Sequence, residues 1–177
     1  RQFRPQLTNR RLYGIFVKLK RVGKGGKKFN VFKLRTMHPY SEFLQAYIYD
    51  RYSLQEGGKF NHDIRVTTLG RIARKYWLDE LPMLLNLIKG DMKLVGVRPI
   101  SQHYFSLYSP ELQAKRICHK PGLLPPFYAD MPKTLEEIED SEMRYLTMCE
   151  EKGTFKTDIL YFWRIFYTIV FKRARSH

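Results

Sequence analysis

Two apolar-rich runs, Tyr13–Val22 and Lys27–Thr36, flank Gly23-Lys24-Gly25-Gly26, and this pattern predicts a β-hairpin closed by a glycine turn. On the second arm the period of two sets Lys33 and Arg35 on one face and Phe32 and Leu34 on the other. Residues 38–63 are polar and interrupted by His38-Pro39 and Gly57-Gly58, which leaves room for a short helix over Ser41–Tyr52 and a loop. Thr68–Trp77 reads as a basic amphipathic helix with Arg71, Arg74 and Lys75 along one side. Leu81, Leu84, Leu85 and Ile88 recur at helical spacing and predict a helix over Leu81–Lys89, ended by Gly90. Lys93–Val97 is a candidate strand. Thr134 and Glu137 form a capping-box pattern that opens an acidic helix reaching to Gly153. The order implies an α+β fold: one small domain over residues 1–177, with a basic hairpin and several helices, some amphipathic and interfacial.

The last segment, Asp158 to Lys172, carries Tyr161, Phe162, Trp163, Phe166, Tyr167 and Phe171, with Arg164 among them. Its thirteen apolar-rich residues, Ile159 to Phe171, would make a helix of roughly 20 Å, against a hydrocarbon thickness of ~30 Å. A central arginine adds about 2.5–3.5 kcal/mol at the bilayer midplane. The segment is expected to lie along a membrane surface, to pack its rings into the core, or to do each with a different face.

Composition sharpens this picture. The 177 residues are 44% hydrophobic and 15% aromatic, which excludes intrinsic disorder, and no run of about 18 apolar residues is present. Cys118 and Cys149 stand apart without metal-ligand spacing, as expected of free thiols in a reducing compartment. The net charge of +15 is unevenly spread: residues 1–40 hold twelve Lys/Arg and no acid, whereas residues 121–151 hold two basic and eight acidic residues. Such polarity fits an anionic partner: a membrane surface, a nucleic acid or a phosphorylated small molecule. The chain starts at Arg1 and not at Met, so it is expected to be part of a longer protein.

The chemistry concentrates at Arg74-Lys-Tyr-Trp-Leu-Asp79-Glu80-Leu-Pro82. Neighbours in a continuous α-helix point about 100° apart and cannot serve one site, but Pro82 predicts a break beside the pair. Asp79 near a helix N-terminus would be kept ionised by backbone N–H groups and by Arg74 or Lys75. The plainer alternative is an N-cap aspartate followed by a surface glutamate. A carboxylate attacks phosphorus only when cations neutralise the phosphate oxygens.

The block Asp63-Ile-Arg65, Gly70-Arg71, Leu78-Asp79-Glu80-Leu81-Pro82, Leu85-Asn86, Lys89-Gly90-Asp91-Met92 and Leu94-Val95-Gly96-Val97-Arg98-Pro99 resembles the signature of the bacterial sugar transferase family, the monotopic polyprenyl-phosphate phosphoglycosyl transferases. Arg21-Val22-Gly23, Phe32-Lys33-Leu34-Arg35-Thr36-Met37, Lys120-Pro121-Gly122-Leu123 and Asp158-Ile-Leu-Tyr161 are similar to other motifs of that family, in the right order. The resemblance implies transfer of a sugar 1-phosphate from a nucleotide sugar, usually a UDP-sugar, to polyprenyl phosphate at the cytoplasmic face of the bacterial inner membrane. It assigns Asp79 as the nucleophile that forms an aspartyl-phosphosugar intermediate, and Glu80 as the assisting residue that binds Mg²⁺. It places Arg74 and Arg98 on phosphate, with Lys33 and Arg35 as further phosphate donors or structural supports.

Three departures from the family pattern stand out. Members usually begin with a hydrophobic re-entrant helix, which is expected to precede Arg1. The Pro-Arg-Pro motif reads Val97-Arg98-Pro99. After Pro-Gly-Leu comes Leu124-Pro-Pro-Phe127-Tyr128-Ala-Asp130, an expected aromatic loop at the lipid surface that bears on sugar or nucleotide preference. Two other readings accommodate the basic, aromatic composition: a single-stranded nucleic-acid-binding domain, which has no need of the acidic pair, and a non-catalytic membrane-associated scaffold of the same fold. The family reading expects no nucleic acid.

Overall fold

The computed structural model of the chain describes residues 14–39, 41, 44, 54–55, 59–60 and 63–171. The hairpin is present as β1 (Phe16–Val22) and β2 (Lys28–Leu34), paired antiparallel from Phe16↔Leu34 to Val22↔Lys28. Its turn, Lys24–Gly26, closes with Gly25 and Gly26 at φ 69° and 70°, a left-handed conformation that glycine adopts without a Cβ penalty. Alternation along β2 turns Phe29, Val31 and Lys33 toward the rest of the protein. Val31 is almost fully buried against Met83 and Met92. A second antiparallel pair joins β3 (Leu54–Gln55) to β4 (Lys59–Phe60), and the helix expected over Ser41–Tyr52 falls largely outside the described residues.

Helix α1 (Thr68–Lys75) begins where the Thr67 hydroxyl accepts the Gly70 N–H at 2.9 Å, which satisfies a donor left free by the first turn. A Cβ on Gly70 would lie 2.0 Å from the Thr36 carbonyl oxygen, so this glycine is what lets α1 seat against the end of the hairpin. The helix expected over Leu81–Lys89 is two elements: a 3-10 helix over Leu78–Met83, followed by α2 (Leu84–Ile88). The chain stays helical through Pro82, and the break falls earlier, at Trp77. Leu81, Leu84, Leu85 and Ile88 share a face as their spacing requires, but they are exposed; the buried residues of this stretch are Asp79, Pro82, Met83 and Asn86.

Strand β5 (Lys93–Val95) is shorter than expected and pairs parallel with β6 (Gly122–Leu124), a strand the sequence pattern did not mark. Gly96 and Gly122 make that crossing possible, since a Cβ on Gly122 would sit 2.1 Å from the Gly96 nitrogen. Between the two strands run α3 (Gln102–Ser106) and α4 (Pro110–Cys118); after β6 come α5 (Phe127–Asp130), α6 (Leu135–Lys152) and α7 (Thr154–Phe171). The main core lies where α4, α6, α7 and the short parallel pair meet, centred on Leu112, Tyr145, Leu146, Tyr161 and Ile165. Tyr145 and Lys93 both bond Asp158, which ties β5 to α6 and α7.

The acidic helix α6 starts as its sequence signal indicates, with the Thr134 hydroxyl accepting the Glu137 N–H at 3.2 Å. The Glu137 carboxylate reaches back to the Lys133 N–H, one residue before the usual position. Helix α7 starts at Thr154, directly after Gly153 at φ 85°, earlier than the sequence indicated. It buries Thr157, Tyr161, Ile165 and Thr168, and presents Phe155, Trp163, Phe166, Tyr167 and Phe171 to the outside. Packing into the core therefore holds for one face of this segment, and the other face is exposed. No helix among the described residues is long and apolar enough to cross a membrane.

One buried ion pair links this core to the following site: Arg116 bonds the Glu142 carboxylate, and its Nη2 donates to the Arg98 carbonyl at 2.6 Å. Burial lowers the Arg116 pKa to about 10, so it remains a cation at neutral pH. Removing one partner of such a pair strands the other charge. Glu142→Gln is predicted to destabilise the fold by about 3–5 kcal/mol, read as a lower denaturant midpoint at unchanged slope.

Candidate functional site

The acidic pair is presented by a local reversal of the chain. Helix α1 ends at Tyr76, and Trp77 takes φ 56° and ψ 18°, a left-handed conformation that costs a non-glycine residue roughly 1–2 kcal/mol. That residue starts the 3-10 helix, in which successive side chains diverge by about 120°. Asp79 therefore turns inward to 7% exposure, and Glu80 turns sideways to Lys33 on β2, whose Nζ donates to Oε1 at 2.6 Å. Asp79 is not an N-cap: Trp77 holds that position and caps nothing with its side chain.

Asp79 Oδ1 and Trp77 Nε1 are buried without a hydrogen-bond partner among the described residues. The expectation of an Asp79 held ionised by helix-end N–H groups is corrected accordingly. Burial is the strongest influence and pushes the Asp79 pKa up from its ordinary value, and the Glu80 charge adds to this; Lys33 and, less strongly, Arg74 pull it down. Arg74 is held by its Nε bond to Thr36 Oγ1 at 3.0 Å, and Asp79 and Asp63 favour its charge while burial disfavours it. Lys75 is exposed over the Tyr76 ring.

Asp79, Glu80, Lys33 and Arg74 thus converge. Arg35 and Arg98 make their contacts elsewhere: Arg35 Nε donates to the Gly14 carbonyl at 2.8 Å, and the exposed Arg98 guanidinium stands 5.5 Å from the Phe127 ring centre. Arg21 is Arg98's neighbour, and both burial and the Arg98 charge lower its pKa. Sequence reasoning missed Asn86, which is fully buried. Its Nδ2 donates to the Asn30 carbonyl at 2.7 Å, and its Oδ1 accepts the Phe32 N–H at 3.2 Å. One side chain thereby pins β2 to α2 and sets Lys33 opposite Glu80. The available signal was a lone amide in Leu84-Leu85-Asn86-Leu87-Ile88, where Leu84, Leu85 and Ile88 turn out to face outward while Leu87 packs beside Met83 and Met92.

The stretch after β6, expected as a surface loop, is the helix α5, and its rings pack inward. Tyr128 lies 5.4 Å from Trp77, and Phe127 lies 5.8 Å from Tyr128. Beside the pair opens a cavity of ≈ 150 Å³ walled by Trp77, Glu80, Leu81, Leu84, Leu123 and Tyr128. No group of three or more His, Cys, Asp or Glu that could hold a metal occurs among the described residues. Two carboxylates, one with an unpartnered oxygen, nevertheless suit Mg²⁺, which commonly takes one or two protein carboxylates and fills its shell with water and substrate phosphate.

The model of the bacterial sugar transferase family matches residues 6–172. The chain belongs to this family. Among its relatives, the uncharacterized sugar transferase EpsL of Bacillus subtilis is 39% identical over 62% of this chain and 48% of its own length. The UDP-glucose:undecaprenyl-phosphate glucose-1-phosphate transferase of Caulobacter vibrioides is 43% identical over 58% of this chain and 36% of its own. The undecaprenyl-phosphate galactose phosphotransferase of Salmonella typhimurium is 39% identical over 58% of this chain and 22% of its own. The chain therefore spans less than half the length of these sugar transferases, and the two whose names carry a sugar carry different ones.

A raised carboxylate pKa means that the folded state holds the Asp79 proton more tightly than the unfolded chain does. The stability this contributes is full below the unfolded pKa and is lost as pH rises through the folded pKa. Asp79→Asn, which removes the buried charge, is predicted to melt above wild type at pH 7.5 in chelator, with a gap that narrows on acidification through the folded pKa. Thermal denaturation across pH checks this.

Proposed function

We propose that the intact protein transfers a sugar 1-phosphate from a UDP-sugar to polyprenyl phosphate at the cytoplasmic face of the bacterial inner membrane, in two steps through Asp79. In the first step an Asp79 oxygen attacks the phosphorus that bears the sugar, the bond from that phosphorus to the bridging oxygen breaks, and uridine monophosphate leaves with the electron pair. In the second step an oxygen of polyprenyl phosphate attacks the same phosphorus, and the Asp79 carboxylate is restored. The observation that carries this reading is a buried carboxylate with an unpartnered oxygen, facing the cations Lys33 and Arg74. A scaffold gains nothing from such a group, and a nucleic-acid-binding surface has no use for it.

Lys33 and Arg74 lower the repulsion between the aspartate and the incoming diphosphate, and the sealed environment strengthens that attraction. Glu80, with Asp79 beside it, is the residue to hold Mg²⁺, which supplies charge neutralisation at the phosphate oxygens when bound. Lys33 keeps the Glu80 carboxylate paired until then. Arg98, whose carbonyl Arg116 holds, and its neighbour Arg21 are the further cations proposed to take the donor phosphates, although neither contacts the acidic pair in this structure. The exposed rings of α7 and the basic excess suit an anionic membrane surface, where a water-soluble donor and a lipid acceptor meet.

Asp79→Asn is predicted to lower steady-state release of uridine monophosphate by about 10³-fold or more, while Asp79→Glu does not restore it; near-normal turnover in Asp79→Asn would refute the nucleophile. Arg98→Ala removes a charge-assisted phosphate bond of about 1.5–3 kcal/mol and is predicted to raise the donor KM about tenfold or more. For the surface, replacing Trp163, Tyr167 and Phe171 together with serine in the 177-residue chain is predicted to reduce flotation with anionic liposomes, and equal flotation would assign those rings another role.

A further inference from the structure

The cavity beside Glu80 has a chemistry of its own. Its walls are the Trp77 and Tyr128 rings and the side chains of Leu81, Leu84 and Leu123, and Glu80 is the single charged group on its lining. Leu81 and Leu84, 53% and 44% exposed, carry the lining out onto the apolar surface formed by Leu78, Leu85 and Ile88. Behind the lining, Lys33 bonds Glu80 at 2.6 Å. A sugar, with a hydroxyl on most of its carbons, would find few partners against such walls beyond Glu80. A branched hydrocarbon would lose nothing, and an apolar cavity of ≈ 150 Å³ accommodates a group about the bulk of benzene, close to one five-carbon isoprene unit.

Resting on the transferase reading, we infer that Trp77 and Tyr128 form the acceptor-specificity wall: they grip the first isoprene unit of polyprenyl phosphate, with the rest of the chain lying over the exposed leucines and the phosphate directed to the Lys33 ammonium. Trp77 is suited to the task by its backbone. Its left-handed conformation, unusual for a bulky residue, swings the ring out of the α1 register and against Tyr128. Tyr128 comes from α5, the stretch that departs from the family pattern, so acceptor recognition is built from the part of the chain that is its own. Lys33 complements this occupant as well: an ammonium has three donors, of which Glu80 takes one.

The test uses the full-length protein in nanodiscs, with initial rates measured against polyprenyl phosphate at saturating donor and against donor at saturating acceptor. Trp77→Ala and Tyr128→Leu are each expected to raise the acceptor KM about tenfold or more while the donor KM moves less than threefold. Trp77→Phe, which keeps a ring and loses the N–H, is expected to fall between them and wild type. If Trp77→Ala does not fold, Tyr128→Leu and Trp77→Phe decide the matter alone. An unchanged acceptor KM in the folded variants, or a rise confined to the donor KM, overturns the inference while leaving the transferase reading in place. Absence of donor- and acceptor-dependent turnover in the wild-type protein overturns that reading itself.

Discussion

Burial of Asp79 is the constraint around which the site is organised. Sealing one carboxylate oxygen away from water without a hydrogen-bond partner is unfavourable by about 1–3 kcal/mol or more for a charged group. A fold tolerates this only where the surroundings leave the side chain no alternative. Here the left-handed Trp77 fixes where the 3-10 helix begins, the 3-10 period sends Asp79 inward and Glu80 aside, and Pro82 and Met83 bury the other end of the turn. The same sealing makes Asp79 useful. It lowers the local dielectric, so that Lys33 and Arg74 act on the carboxylate more strongly than exposed cations would.

The rest of the molecule keeps those cations in place from two sides. From the hairpin side, Asn86 replaces a missing strand partner for β2, and Thr36 receives Arg74, while Gly70 lets α1 come close enough to Thr36 for that second contact. From the helical side, the glycine crossing of Gly96 and Gly122 brings β5 against β6, and Arg116 reaches out of the core to hold the Arg98 carbonyl. A site placed between two such supports depends on packing far from its own residues. That explains why a buried ion pair on α4 and α6 bears on an arginine proposed to bind phosphate.

Much of this was legible in the sequence, for reasons that can be stated residue by residue. The glycine turn at 23–26 and its flanking runs gave the hairpin, because only glycine enters the left-handed turn freely. The Thr134 cap and Gly153 marked both ends of α6, and the alternation on β2 separated Lys33 from Phe32 and Leu34 without saying which face turns to the site. Three features were not legible. The β5–β6 pairing involves three residues on each strand, separated by two helices, and rests on a backbone approach that no periodicity records. The left-handed Trp77 is dictated by tertiary packing against Tyr128 and contradicts the local preference of a bulky residue. Leu81, Leu84, Leu85 and Ile88 revealed an apolar face but not its direction; the polar Asn86 took the core side because β2 offered it two backbone partners.

The outward leucines and the exposed rings of α7 fit an enzyme that works where water meets lipid, and the basic excess of residues 1–40 fits the phosphates that meet there. All of this follows from one chemical claim, that Asp79 carries the sugar phosphate between donor and acceptor. The most direct test is intact-protein and peptide mass spectrometry of the full-length protein mixed with a UDP-sugar and Mg²⁺ in the absence of acceptor. The account predicts a mass gain of one sugar phosphate, located on Asp79 and discharged when polyprenyl phosphate is added. Acceptor-dependent turnover with a rapid-quench time course that shows no adduct, or an adduct on any other residue, would contradict it.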